Sequence, residues 1–266
     1  MGNQQVIPIV IGKLQRLKNI KDKLLIMTKK NLQKLNKYQR KLILDMTIGD
    51  GLLKSDGRLQ IKHSIKQEGY LYWKEKLLNN AGIPTHIIYS NNMSFGKNQK
   101  CITLTTQTSI AIKHLRHFLY RPTKFLFYPS FFKHLDDLSI AIWYMDDGSC
   151  NKYHNHNGSI HKGEVSLSTY TSIEQNKLII DFFKQKYNID FKIESYHPNP
   201  KLFYISTSSV DSTKKFLDIV EPYILQVPCL IYKLNNDIFL RDIVNTLNTK
   251  NNAVMLNSEA GDTLSE

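Results

Sequence analysis

Cysteine is scarce in this chain: Cys101, Cys150 and Cys229 are the only three among 266 residues. Their odd number and wide spacing exclude a framework of paired disulfides and fit a reducing compartment. Long apolar runs are also missing. None approaches the roughly 20 residues that a membrane-spanning helix needs, and no amphipathic anchor stands out, so no membrane partner is expected. The short patch Val6-Ile7-Pro8-Ile9-Val10-Ile11 lacks the basic stretch that precedes a secretory core, so no cleaved address is expected there. Acidic residues are in deficit: 23 Asp and Glu face 36 Lys and Arg, for a formal net charge of +13. That excess favours a polyanionic partner through counterion release and steering, with nucleic acid foremost. Apolar residues, at 41%, suffice for a real core in one large domain or two halves.

Two apolar stretches organise the rest, Ile43-Leu44-Asp45-Met46-Thr47-Ile48-Gly49-Asp50-Gly51 and Ile140-Ala141-Ile142-Trp143-Tyr144-Met145-Asp146-Asp147-Gly148. Each closes on Asp-Gly. A helix with no polar stripe is buried on most sides, yet a carboxylate at its end is costly to bury without a partner. Gly51 is placed to end the first helix as a left-handed residue.

After each stretch the same order of elements is read. In the first half, residues 58–65 alternate as a strand, with Leu59, Ile61 and Ile65 inward and Arg58, Gln60, Lys62 and Ser64 outward. A helix over 68–80 follows, ended by Gly82 and Pro84. Strands over 86–90 and 101–107 and a helix over 109–120 complete the half. In the second half, strands over 164–170, 191–196 and 202–206 and helices over 172–187 and 212–220 repeat that order. A long-period repeat of this kind implies a pseudo-twofold monomer built like a fused dimer. Domain limits are set at 1–36 for a basic, partly helical extension, 37–135 and 136–250 for the halves, and 251–266 for a disordered polar tail.

Asp50 and Asp147 each precede the helix-ending glycine, where the helix terminus adds partial negative charge and free carbonyls. Hard oxygen donors there suit Mg²⁺, which keeps several waters and takes one or two carboxylates plus phosphate oxygens. Asp-Gly alone is an ordinary turn. Its recurrence at the same place in two matching halves favours one shared acidic site that handles phosphodiesters.

The chain resembles the LAGLIDADG homing endonucleases of the single-chain, two-motif type over roughly residues 37–245. Within that family it is similar to the yeast mitochondrial intron-encoded enzymes, on the strength of Leu138-Ser139-Ile140-Ala141-Ile142-Trp143-Tyr144-Met145-Asp146-Asp147-Gly148. The resemblance implies an α+β fold of two αββαββα halves, a central pair of motif helices and antiparallel sheets forming a saddle on duplex DNA. It implies a monomer that makes Mg²⁺-dependent double-strand cuts across the minor groove of a long specific site, leaving short 3′ overhangs. It assigns the acids before the final motif glycines, Asp50 and Asp147, as catalytic metal ligands, with Gly49 and Asp146 beside them. It carries basic residues near the scissile phosphates onto Lys124 and Lys233. It also implies an alternative function as an intron maturase that binds intron RNA. A mitochondrial or other organellar location follows from the resemblance and from the Lys-, Asn- and Ile-rich composition. Asp45 and Met46 stand where the family prefers small residues, which puts the helix spacing in question.

For base readout, outward strand residues that reach base edges or phosphates are Arg58, Gln60, Lys62, Thr103, Thr105 and Gln107 in the first half. Their counterparts are Ser166, Ser168, Lys192, Glu194 and Tyr204. Cys150, His154, His156 and His161 crowd one segment, but their spacing matches no zinc-finger pattern.

Overall fold

A computed structural model describes residues 35–94, 97–120, 127, 129–154, 160–196 and 203–234, with side chains of 92–98 and 152–162 excluded. The proposed tail and most of the basic extension lie outside these residues. So do Lys124 and His156 and the side chains of His154 and His161.

The described chain begins with helix α1 (Lys37–Ile48). Asn36 caps it reciprocally: its side chain accepts from the Gln39 N–H at 2.8 Å, and the Gln39 side chain accepts from the Asn36 N–H at 2.9 Å. This satisfies two of the helix's orphan donors. Strands β1 (Gly51–Leu53) and β2 (Leu59–Ser64) lead through a short 3₁₀ turn to helix α2 (Glu68–Asn80). Strands β3 (Thr85–Ser94) and β4 (Lys97–Thr106) and helix α3 (Ile110–Leu119) complete the set. The strands form an antiparallel sheet in the order β1-β2-β4-β3.

The short helix α4 (Pro129–Phe132) precedes helix α5 (Asp137–Asp147), which is buried from Ser139 to Met145, as expected for a helix without a polar stripe. Phe127 stacks on Trp143 of α5 at 5.6 Å between ring centroids, and Phe131 and Phe132 extend the aromatic cluster. Then the pattern recurs. It runs β5 (Gly148–His154), β6 (Ile160–Thr171), α6 (Ile173–Tyr187), β7 (Phe191–Ser195), β8 (Phe203–Thr207), α7 (Val210–Ile224) and a 3₁₀ segment, Pro228–Leu234. The second sheet has the order β5-β6-β8-β7. Each half is therefore αββαββα, and the fold is α+β.

By packing, the described residues up to Asp147, with Lys177–Ile179, form one compact unit; Gly148–Asn176 and the described residues from Ile180 onward form another. Leu42, Ile43, Met46, Leu59, Ile61, Leu71, Leu104 and Ile140 are fully buried in the first, each worth about 1.5–3 kcal/mol of apolar burial. In the second, Phe183, Phe191 and Phe216 pack within 5.8 Å of one another. Among the described residues no helix is long and apolar enough to cross a membrane.

Three sequence expectations change in detail. Gly51 is not left-handed: it opens β1 opposite Ile61. A glycine is needed there because an added Cβ would stand 1.9 Å from the Met46 carbonyl oxygen. Strands β1 and β5 escaped the periodicity because one is three residues long and the other is a polar run. Helix α7 extends past residue 220 through Pro222 to Ile224.

Candidate active site at the ends of the motif helices

Helices α1 and α5 pack within the first unit, and their contacts advance in step. Lys41 Nζ lies 2.7 Å from Asp136 and 3.0 Å from Ser139 Oγ, and Ser139 donates to Asp45 at 2.7 Å. Further along, Gly49 sits so close to Asp146 that an added Cβ would fall 2.4 Å from the Asp146 Cβ. The helices therefore run parallel and bring both C-terminal ends together. Asp45 and Met46 do not loosen the pair. Met46 is fully buried, and Asp45, 1% exposed, becomes a polar clamp between Lys41, at 2.6 Å, and Ser139. Burial pushes the Asp45 carboxyl up to about 6 despite Lys41 and Ser139. Burial pulls Lys41 down, but the carboxylates of Asp45 and Asp136 outweigh it, so its ammonium is held above the ordinary range.

At the shared end, Asp50 follows the α1 cap residue Gly49, and Asp147 is the last residue of α5. The Asp50 carboxylate is 42% exposed and lies 3.5 Å from His63 Nδ1, a long electrostatic contact. Asp146 points inward. Its carboxylate is fully buried, accepts from the Asp50 backbone N–H at 3.0 Å, and pairs with the equally buried ammonium of Lys74 at 2.6 Å. Lys74 also lies 3.3 Å from His63 Nε2 and 4.3 Å above the Tyr70 ring. The Tyr70 hydroxyl donates to the Ile142 carbonyl at 3.3 Å. Its pKa is pushed well up, first by burial, then by the negative charges of Asp146, Asp50 and Asp147. Acids from both motifs thus act on one buried hydroxyl in the same direction. Asp50, His63 and Asp146 offer ligand atoms within 4.8 Å of one another, a spacing that suits a metal ion.

Lys233 lies in the 3₁₀ segment Pro228–Leu234 of the second unit. It is buried, and its ammonium donates to the carbonyl of Gly148, the residue after Asp147, at 2.9 Å.

The readout candidates separate. In register, Gln60 faces Thr105 and Lys62 faces Thr103 across β2 and β4, with His86 and Ile88 continuing the rows on β3. Lys62 is exposed, and Gln60 and Thr103 are half-buried. Thr105, between Gln60 and His86, is only 3% exposed, so its hydroxyl is not presented as the alternation suggested. Gln107 is exposed but lies just past β4. Arg58 is held by Asp56 at 2.6 Å. In the second unit Ser166 is half-buried, and Ser168 accepts from the Tyr196 hydroxyl at 2.6 Å. Lys192 is paired with Glu194 at 2.8 Å and Glu164 at 3.3 Å. Tyr204 packs on Tyr196 at 4.9 Å, which stacks on the exposed Tyr170.

Sequence reading missed His63, Tyr70 and Lys74. The signal was present: His63 continues the inward phase of Leu59 and Ile61, and Lys74 falls on the stripe of Tyr70, Leu71 and Leu78.

Two αββαββα halves, each with an acid at the end of one of two parallel helices, define a duplicated, two-motif class of protein. Residues 40–216 match the model of the LAGLIDADG DNA endonuclease family, and the chain belongs to that family. Among solved structures, the chain is similar to the homing endonuclease I-WcaI bound to its DNA recognition sequence. The TM-score is 0.63 and the identity 21%, over 80% of this chain and 92% of that one. Among curated proteins it is 27% identical over 213 residues to Protein RecA of Mycobacterium shimoidei, covering 75% of this chain and 47% of the relative. It is 26% identical over 205 residues to an uncharacterized protein of Methanocaldococcus jannaschii, covering 73% and 72%. The chain spans about half the length of the RecA relatives it matches.

Proposed function

We propose that the protein is a site-specific, Mg²⁺-dependent double-strand DNA endonuclease that cuts across the minor groove to leave short 3′ overhangs, with Asp50 and Asp147 as the acids of the reaction. The observation that carries this reading is the joining of the two motifs at the ends of α1 and α5, where the Asp146 carboxylate accepts from the Asp50 N–H at 3.0 Å. The donor set fits a hard cation: an exposed carboxylate at Asp50, a second acid at Asp147, and two helix C-termini that add partial negative charge. When bound, Mg²⁺ supplies Lewis-acid stabilisation of phosphodiester charge and a more acidic water.

The residues of the chain do the rest. Asp50 and Asp147 orient water and phosphate oxygens. Lys233, held against Gly148 beside Asp147, adds positive charge where phosphate charge develops. Lys124 has the same role in this reading. Outward Gln60, Lys62 and Thr103 supply contacts to base edges and phosphates, and the net charge of +13 draws the duplex in.

The test is cleavage of a randomised duplex library by the full chain with Mg²⁺, followed by sequencing of the ends. The reading expects one long target, 3′ overhangs and complete loss of cutting with chelator. Cutting that persists in chelator, or binding with no cleavage of any duplex, overturns it.

A further inference from the structure

We propose that Lys74 is a positioning residue that decides which groups near the helix ends are available to a cation: it withdraws Asp146 and His63 and leaves the work to Asp50 and Asp147. This rests on the reading of Asp50 and Asp147 as the acids of the nuclease.

Asp146 and Asp147 are neighbours on one helix, so their side chains project about 100° apart. Asp146 takes the inward direction, and both it and Lys74 are fully buried. One carboxylate oxygen is spent on the ammonium at 2.6 Å. The other is spent on the Asp50 N–H at 3.0 Å, so a side chain of the second motif pins the backbone of the first motif's acid. A lysine ammonium donates and cannot accept. His63 Nε2, 3.3 Å from it, therefore serves as acceptor, and the ring proton sits on Nδ1 facing Asp50. A nitrogen that carries its proton offers a metal no lone pair. Of the three groups spaced for a cation, Asp50, His63 and Asp146, Lys74 thus engages Asp146 and His63, and the exposed one is the Asp50 carboxylate.

The other half lacks this set. Gly51 opposite Ile61 corresponds to Gly148 opposite Leu167, which makes Gly49 the counterpart of Asp146; beyond Leu167 strand β6 shifts register against β8, and a threonine stands in place of His63, Thr169 by count along the strand and Thr171 by the ladder. On the buried faces, Leu71, Lys74 and Leu78 of α2 match Asn176, Ile179 and Phe183 of α6, all fully buried, so Ile179 stands where Lys74 does. Carboxylate, imidazole and ammonium meet at the end of one motif helix, the carboxylate coming from the second motif and the other two from the first half, and all three are absent from the equivalent positions. That co-occurrence marks a matched set.

The test measures two quantities on the full chain: terbium(III) binding by luminescence, with terbium as the cation probe, and cleavage of the target duplex in Mg²⁺. Lys74→Met releases Asp146 and His63 as ligands. Terbium binding is expected to tighten by about fivefold or more while cleavage slows by about tenfold or more. A purely structural role lowers both. Asp146→Asn leaves an unbalanced ammonium beside Asp50 and is expected to weaken both. The double variant Lys74→Met/Asp146→Asn removes the charges together and keeps an acceptor for the Asp50 N–H. Its terbium affinity is expected to return to within about threefold of the parent, with cleavage above that of Asp146→Asn. A folded Lys74→Met with unchanged or weaker terbium binding overturns the proposal. Should Lys74→Met fail to fold, a double variant no better than Asp146→Asn overturns it. Terbium binding indifferent to Asp50→Asn overturns the underlying nuclease reading instead, so the two failures are distinguishable.

Discussion

The two halves share a frame and differ at one place in it. In both, a threonine at the end of the third sheet strand in the order accepts the backbone N–H of the neighbouring strand: Leu59 N–H to Thr106 at 3.0 Å and Val165 N–H to Thr207 at 3.1 Å. Both sheets have the same order, and both units follow the same sequence of elements. Below the end of the motif helix, however, the first half holds Lys74, His63 and the incoming Asp146, all buried and ionic or polar. The second has Thr169 against Asn176 at 2.7 Å and Ile179 fully buried. Duplication preserved the backbone plan, which depends on alternation, caps and a few hydroxyl bonds. The chemistry diverged where a carboxylate needed a counter-ion.

That contrast can be broken from the first half with the largest effect. Lys74→Met strands the buried Asp146 carboxylate and is expected to cost about 3–5 kcal/mol of stability, read from chemical denaturation. Thr169→Val, at the neutral counterpart, is expected to cost about 1 kcal/mol. Equal losses contradict the ionic reading of the first half.

Gly49→Ala comes next. Its Cβ meets Asp146 at 2.4 Å, and overpacking of this kind costs about 1–3 kcal/mol. The same denaturation assay reads it, and an unchanged stability contradicts the close approach of the two helix ends.

Asp45 sharpens the picture through pH. Its folded carboxyl is raised to about 6, above the ordinary unfolded value, so the folded state holds a proton that the unfolded state releases. The associated stability is present below the unfolded pKa near 4 and is lost as pH rises through 6. The change is at most about 3 kcal/mol. Asp45→Asn is expected to flatten stability between pH 4 and 7 and to keep the bond to Ser139; an unchanged slope contradicts the assignment. The smallest effect tests what the halves share. Thr106→Val and Thr207→Val are each expected to cost about 1 kcal/mol, equally.

Much of this was readable in the chain. Leu59 and Ile61 against Gln60 and Lys62 announced a strand. Residues 68–80 announced α2 to the residue, and the paired Asp-Gly endings pointed to the place where α1 and α5 meet. Alternation fails where an element is too short, as in β1, or polar throughout, as in β5. It also misleads where a position of outward phase is covered by its neighbours, as at Thr105 between Gln60 and His86. The buried network was harder to see because a Lys or His at an inward phase reads first as an interruption. Only the tertiary approach of Asp146 supplies the partner that makes Lys74 tolerable there. Asp45 shows the same in reverse: a charge that looked disruptive between the helices fastens them through Lys41 and Ser139.

The central claim is that one acid from each motif serves one double-strand break. Its most direct test is cleavage of the identified target by Asp50→Asn and Asp147→Asn, with duplex binding measured in parallel by gel shift. The expected result is loss of double-strand cutting in each variant, by about a thousandfold or more, with binding kept within about threefold, since the proposed phosphate and base contacts are made by other residues. Double-strand cutting at the parental rate by either variant contradicts the account.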